Sequence, residues 1–74
     1  MRQGDETGVE KIMAERLLQL REEQGISQKK AADMAGMFQG TLSKYESGER
    51  VMNADALVRL ACVYHVTTDY LCGL

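Results

Sequence analysis

The sequence predicts an all-α fold, and three observations support this prediction. The chain contains no proline, the residue that a helix interior tolerates least. Runs of Ala, Leu, Met, Glu, Lys and Gln, all good helix formers, extend along most of its 74 residues. Apolar residues recur at helical intervals, and no segment shows the period-two alternation of a half-buried strand. We therefore expect one small helical domain, near the lower size limit at which a single core is stable without a metal, disulfides or a partner subunit. Pairing into a homodimer is one way in which such a domain gains stability.

The N-terminal segment is rich in Gly, Asp and Glu and follows no periodic pattern. We expect residues 1–10 to form a flexible tail and residues 11–74 to form the folded domain. A first helix is predicted from about Val9 to Gln24, because three large apolar residues share one face. They are Met13, Leu17 and Leu20. Gly25 is expected to end this helix as a C-terminal cap.

Ser27 predicts the start of a second helix, because its hydroxyl can accept a hydrogen bond from a free N–H group in the first turn. Three small residues of this helix let another helix approach closely. They are Ala31, Ala32 and Ala35. Lys29 and Lys30 lie at the positive end of the helix dipole, where cations are unfavourable unless an anion such as a DNA phosphate binds. Two solvated lysines without a role explain the same pattern, so both interpretations stay open.

A third helix is predicted over residues 38–47, ended by Gly48, with Leu42 and Tyr45 pointing inward. Two short helices joined by a tight turn at Gly36 have the layout of a helix-turn-helix. In that motif the polar N-terminal half of the second helix projects into solvent, where a DNA major groove can receive it. The side chains expected to face bases or phosphates are Gln39, Thr41, Ser43 and Lys44. The sequence therefore predicts DNA binding.

Two further helices complete the predicted domain. Asn53 is expected to cap a fourth helix, whose inward positions form an apolar stripe. These positions are Leu57, Leu60, Ala61 and Tyr64. His65 follows as a left-handed C-cap rather than as a general base. Thr67 or Thr68 then opens a short fifth helix that continues through Cys72.

The sequence offers little support for an enzyme or a metal site. His65 is the single histidine, and no group of Cys, His and Asp residues has the spacing of metal ligands or of an activated nucleophile. We predict no enzymatic activity, no catalytic residue, no metal and no cofactor. Cys62 and Cys72 are expected to be reduced thiols, and the N-terminus lacks the apolar core of a signal peptide. With no apolar run long enough to cross a bilayer, we expect a cytoplasmic protein.

The net charge of −2 argues against strong non-specific DNA binding, because such affinity comes from cations that replace counterions along the phosphate backbone. The distribution of charge is more informative than the sum. Residues 1–26 carry six acidic and four basic side chains, whereas residues 27–50 carry four basic and three acidic ones. The basic residues therefore concentrate where the groove-facing helices are predicted.

Three segments carry a resemblance to a known family: Leu20 to Gln28 (LREEQGISQ), Leu42 to Arg50 (LSKYESGER) and Leu57 to Ala61 (LVRLA). With them the chain resembles the phage-repressor and Cro-like helix-turn-helix regulators, also called the xenobiotic-response-element family, from about Ile12 to Gly73. The resemblance implies a compact five-helix bundle of the lambda-repressor-like DNA-binding domain type. It also implies a sequence-specific transcriptional regulator with a double-stranded DNA operator as its partner. A repressor is expected rather than an activator, because a protein that only blocks a promoter needs no contact surface beyond the one that binds DNA.

The resemblance also implies roles for individual residues. Gln28 would touch a phosphate and brace the start of the recognition helix, Gln39 would meet base edges, and Lys44 would reach guanine or a phosphate. An ion pair between Arg21 and Glu46 would fix the recognition helix against the scaffold. The full set of expected DNA contacts is Gln28, Lys29, Gln39, Gly40, Thr41, Ser43, Lys44 and Arg50.

The chain departs from the family pattern at two positions that bear on function. Phe38 stands where family members usually place a serine or threonine that caps the recognition helix, and Gly40 removes a side chain that often reads bases. Phe38 and the acidic charge favour an alternative function, a protein-interaction module such as an antitoxin-like helix-turn-helix protein with a protein partner. An exposed Phe38 would indicate a contact with protein or with a thymine methyl group, whereas a buried one would indicate packing.

A homodimer interface is predicted near the C-terminus, from Tyr70, Leu71 and Leu74. Two-fold pairing there would set two recognition helices about 34 Å apart on one face of the duplex. A chain of this length has little room for a separate sensor domain, so any response to a ligand is expected to come through a partner.

Overall fold

The computed structural model describes residues 8–74, and in that range the chain forms five α-helices and no strand, which confirms the all-α prediction. The helices are α1 (Val9–Gln24), α2 (Gln28–Ala35), α3 (Gln39–Ser47), α4 (Ala54–Tyr64) and α5 (Thr68–Cys72). Because α1 begins at Val9, the last two residues of the predicted tail 1–10 are helical. The first seven residues of that tail lie outside the described range. No helix within residues 8–74 has both the length and the apolar character needed to span a membrane.

The helix ends lie where the capping residues predicted them. Ser27, Asn53 and Thr67 each accept a side-chain hydrogen bond from the backbone N–H three residues later, which starts α2, α4 and α5. The C-caps have left-handed backbone conformations, and the residue that ends α4 is His65, with φ of 57°. The predicted role of His65 as a left-handed cap is therefore confirmed.

The core lies where the inward faces of the helices meet, and fully buried leucines from four of them fill it. They are Leu17, Leu42, Leu60 and Leu71. Burial of one such side chain contributes about 2 kcal/mol. On α2 the inward residues are small and at most 4% exposed, so α3 and α4 both pack closely against this helix. These small residues are Ala31, Ala32 and Ala35.

The three residues predicted to form a dimer interface have different environments. Leu71 is 0% exposed, so its assignment to the interface is wrong: its side chain fills the core. Leu74 is 88% exposed and Tyr70 is 37% exposed. The guanidinium carbon of Arg16 lies 4.3 Å from the centre of the Tyr70 ring, and Arg16 also donates a hydrogen bond to the Tyr70 carbonyl. Tyr70 therefore joins α5 to α1 while keeping part of its surface in solvent.

Candidate nucleic-acid interface

The turn between α2 and α3 is built around Gly36, whose φ of +72° favours glycine. Arg59 of α4 packs against this turn and donates a hydrogen bond from Nη1 to the Ala35 carbonyl at 3.2 Å. Its Nε donates to the Asp55 carboxylate at 3.0 Å, which holds the guanidinium in place. A Cβ atom on residue 36 would lie 2.8 Å from Arg59 Nη1. The absence of a side chain at residue 36 therefore leaves room for the Arg59 guanidinium to bind the carbonyl at the end of α2.

The sequence pattern alone does not predict the role of Arg59. The available signal was its i, i+4 spacing from Asp55, which indicates a pair on the surface of one helix. Its contact with Ala35 joins residues 24 positions apart and depends on how α2 packs against α4. Sequence spacing alone does not reveal such a contact.

A buried ionic network holds the other end of α3. Arg21 of α1 donates from Nε and Nη2 to the two carboxylate oxygens of Glu46, at 2.8 and 3.1 Å. Gln28 of α2 donates from Nε2 to the same carboxylate at 3.0 Å, and Arg21 Nη1 donates to the Ile26 carbonyl at 3.0 Å. The side chains of Glu46 and Arg21 are 4% and 16% exposed. The hydrogen bonds to Glu46 raise the pKa of Arg21 above its usual value. One carboxylate therefore fixes α3 against both α1 and α2.

The position of Gln28 differs from the expectation that it braces the start of the recognition helix. Its amide contacts Glu46, which lies in the last turn of α3. The reason is that the N-terminus of α2 lies beside the C-terminal end of α3 in this packing. The side chain of Gln28 is half-buried, so less of it faces solvent than that of Lys29.

The outward face of α3 is polar and accessible. Gln39, Gly40 and Lys44 are exposed, and Ser43 is half-buried between them at helical spacing. Thr41 is also half-buried and lies on the side of α3 that borders α4. The inward residues of α3 are Leu42, Tyr45 and Glu46. The outward face therefore presents an amide, a hydroxyl and an ammonium group together, with the helix anchored from behind.

Exposed cationic residues also lie on two other segments, the start of α2 and the turn after α3. Lys29 and Lys30 are exposed at the start of α2. Lys29 Nζ lies 3.3 Å from the Asp33 carboxylate, and because these side chains are 70% and 65% exposed, the pair contributes at most about 1 kcal/mol. Arg50 is exposed after α3, and its backbone N–H donates to the Lys44 carbonyl at 3.2 Å. These cations can therefore bind a phosphate at the cost of only their contacts with solvent or, for Lys29, of the weak ion pair with Asp33.

Phe38 projects into solvent at the start of α3, with 84% of its surface exposed. Its carbonyl accepts hydrogen bonds from the N–H groups of Thr41 and Leu42, so its backbone is part of the helix start. Within the described chain, no side-chain hydrogen bond caps α3. The ring is thus not packed in the core, and the packing interpretation of Phe38 does not hold.

Comparison with known proteins identifies the family. The sequence pattern of the helix-turn-helix family matches residues 17–71. The chain belongs to this helix-turn-helix family. It is 38% identical over 61 residues to the HTH-type transcriptional regulator ImmR of Bacillus subtilis (strain 168), an alignment that covers 82% of this chain and 48% of ImmR. It is 37% identical over 59 residues to the HTH-type transcriptional regulator AnsR of the same organism, with 80% and 51% covered. This helix-turn-helix chain spans about half the length of the curated relatives it matches.

A solved structure has the same architecture. The crystal structure of the P22 c2 repressor protein, in complex with synthetic operator 9T in the presence of Tl⁺, superposes with a TM-score of 0.77. The two sequences are 29% identical, and the match covers 80% of this chain and 89% of the c2 chain. The five-helix, lambda-repressor-like fold implied by the resemblance is therefore confirmed.

Proposed function

We propose that this helix-turn-helix chain is a sequence-specific DNA-binding regulator, a repressor that inserts α3 into the major groove of an operator. The observation that carries the proposal is the outward face of α3, where Gln39, Gly40 and Lys44 are exposed while Glu46 fixes the helix from behind. An α-helix with its side chains is about 10–12 Å in diameter, which suits a major groove about 12 Å wide. The named relatives and the operator complex of the c2 repressor support the same function.

The proposed contacts divide into base readout and phosphate binding. Gln39 carries a donor and an acceptor on one amide, which matches the N6 and N7 edge of adenine. Lys44 lies one turn further along α3 and reaches a guanine edge or a phosphate. Lys29 and Arg50 neutralise phosphates on either side of the groove. Half-buried polar residues supply backbone or water-mediated contacts, and these are Gln28, Thr41 and Ser43. Gly40 allows close approach of the DNA.

The charge balance of the chain shapes this mode of binding. With a net charge of −2, the chain as a whole does not attract DNA, so affinity depends on a few cations at the interface. Contacts to base edges must then supply a large share of the discrimination between sequences. In this proposal the protein acts in the cytoplasm through binding alone, without catalysis.

Fluorescence anisotropy with matched variants tests the proposal. The probes are a duplex enriched from a random pool by the intact chain and a scrambled duplex of the same composition. Gln39→Ala should reduce the preference for the enriched duplex by at least about fivefold, the value of one base contact. Lys29→Ala should weaken binding to both duplexes and lower the salt slope by about one. Equal losses on both duplexes for Gln39→Ala would contradict the role of Gln39.

Two exposed residues of α1 provide the controls for these variants. Gln19→Ala removes an amide from a surface that the proposal leaves free of DNA, and Lys11→Ala removes the same charge as Lys29→Ala. Both should bind the two duplexes as the wild type does. Losses as large as those of the α3 and α2 variants would place the DNA on α1 instead.

We also propose that the chain acts as a homodimer on a two-fold symmetric operator. The support is the exposed surface near the C-terminus, where Leu74 and part of Tyr70 face solvent. Paired recognition helices would lie about 34 Å apart, one helical turn of DNA. Sedimentation equilibrium of the wild type should show a dimer that Leu74→Ser weakens. A monomer at every concentration, with unchanged binding to the operator, would contradict the dimer.

A further inference from the structure

We propose that Phe38 reads the 5-methyl group of a thymine in the operator and thereby determines part of its sequence preference. This inference rests on the function proposed above and adds an apolar contact to the polar ones of α3. Phe38 directly precedes Gln39, the residue proposed to contact base edges, and 84% of the Phe38 surface is exposed.

The Phe38 ring contributes little to the stability of the fold. Its exposure means that it gains almost no burial, and an aromatic at the N-cap cannot accept the hydrogen bond that a polar cap accepts. The caps of other helices, Ser27, Asn53 and Thr67, all make that bond. The exposed Phe38 ring, which provides neither burial nor a cap, is therefore free to contact a molecule outside the chain.

The backbone hydrogen bonds of Phe38 fix its position at the N-terminal end of α3, next to the proposed interface. The Phe38 carbonyl accepts hydrogen bonds from Thr41 and Leu42 at 3.1 and 3.2 Å, so its Cα is fixed relative to α3. Two residues further on, apart from the adjacent residues and the backbone of α3 itself, no heavy atom of the described chain lies within 4 Å of the place where a Cβ of Gly40 would be. This end of α3 is therefore open enough for the floor of the groove to approach the ring.

The chemistry of the major groove offers the ring one apolar partner. Base edges there present hydrogen-bond donors and acceptors, and phosphates carry charge, whereas the C5-methyl group of thymine is apolar. A phenyl ring has neither donor nor acceptor and matches that methyl group. The polar amide of Gln39 and the cation of Lys44 on the same face suit an anionic duplex better than an apolar protein surface. The observations therefore favour DNA over a protein partner as the contact of Phe38.

Replacement of thymine by deoxyuridine tests the inference, because it removes a single methyl group and preserves base pairing. In the duplex enriched by the intact chain, each thymine is replaced in turn and binding is measured by fluorescence anisotropy. For the wild type, replacement at one position or more should weaken binding about fourfold, the value of burying one methyl group. Phe38→Ala should bind the parent duplex more weakly and should no longer distinguish thymine from uracil at that position.

Two further variants separate the methyl contact from effects on folding. Phe38→Ser supplies a hydroxyl that can cap α3, so it should keep or raise the thermal midpoint and still lose the methyl response. Val58→Ala removes an exposed apolar side chain, 52% exposed on α4, and should retain the full methyl response. Loss of the methyl response in Val58→Ala would overturn the assignment to Phe38.

The remaining outcomes distinguish this inference from the proposed function. Wild-type binding that is insensitive to every replacement, or an unchanged methyl response in Phe38→Ala, would overturn the inference and leave DNA binding intact. Unaltered DNA binding by Phe38→Ala would also overturn it and would point to a protein contact. Failure of the chain to enrich any duplex would overturn the proposed function and this inference with it.

Discussion

The carboxylate of Glu46 is the buried charge on which the position of α3 depends. It accepts hydrogen bonds from Nε and Nη2 of the Arg21 guanidinium and from the amide of Gln28. The carboxylate of Glu46 therefore joins α1 and α2 to α3. Removal of one partner from such a pair leaves a charge with poor solvation, which costs more than the intact pair contributes. The network therefore serves to orient α3 as well as to stabilise the domain.

Glu46→Gln should lower the free energy of unfolding by about 3 kcal/mol, because the largely buried Arg21 loses its counter-charge. Urea denaturation measures this change. Asp33→Asn is the matched control, since it disrupts the exposed pair with Lys29 and should change the free energy by less than about 1 kcal/mol. Similar losses in the two variants would show that the Glu46 network has no special role.

Tyr64 should make stability depend on pH in the alkaline range. Burial, and secondarily the negative charge of Glu46, raises the pKa of Tyr64 to about 12. Its hydroxyl has no hydrogen-bond partner within residues 8–74. Because the folded pKa exceeds the unfolded value near 10, the protonated tyrosine favours the fold below about pH 10, and this contribution is lost as the pH rises to about 12.

Between pH 10 and 12, the free energy of unfolding should therefore fall less steeply in Tyr64→Phe than in the wild type. The difference between the two slopes should be about 1.4 kcal/mol per pH unit. Urea denaturation at intervals across that range measures the difference. Parallel curves for Tyr64→Phe and the wild type would contradict the pKa shift.

The helix-turn-helix element depends on the fit between Gly36 and Arg59. Gly25 offers a comparison, because its φ of +67° is similar but, apart from the adjacent residues, no described atom lies within 4 Å of where its Cβ would be. A side chain at either position is strained by the left-handed backbone. At residue 36 it would also displace the Arg59 guanidinium from the Ala35 carbonyl.

Gly25→Ala and Gly36→Ala should both reduce stability by about 1 kcal/mol through backbone strain. The loss for Gly36→Ala should be larger, and only this variant should weaken DNA binding, because only it disturbs the crossing of α2 and α3. Thermal unfolding and anisotropy on the enriched duplex provide the two measurements. Equal losses of affinity in both variants would contradict the role of the turn.

The sequence predicted these elements well where local chemistry decides them. Ser27, Asn53 and Thr67 mark helix starts because their side chains act on the next few residues, and the apolar spacing of α1 and α4 is local as well. Contacts between helices were harder to predict. The bond from Gln28 to the last turn of α3 and the burial of Leu71 depend on packing that a spacing pattern does not contain. The contact between Arg21 and Glu46 was predicted from the family resemblance and not from spacing.

The net charge of the whole chain limits how it can bind DNA. With a net charge of −2, we expect the few cations near α3 to provide the phosphate contacts, namely Lys29, Lys44 and Arg50. Each such contact contributes about 0.9 to the slope of log affinity against log salt concentration. The expected slope is about −3 per chain, measured between 50 and 200 mM salt. A slope steeper than about −6 would show that basic residues of α1 or α4 also contact DNA.

An NMR titration of the ¹⁵N-labelled chain with the enriched duplex maps the binding surface residue by residue. We predict that the largest amide shift changes occur at residues 38–44 and at the start of α2, around Lys29. The exposed side of α4, including Val58 and Cys62, should change little. Shift changes concentrated on α4 or α1, with α3 unaffected, would contradict the insertion of α3 into DNA.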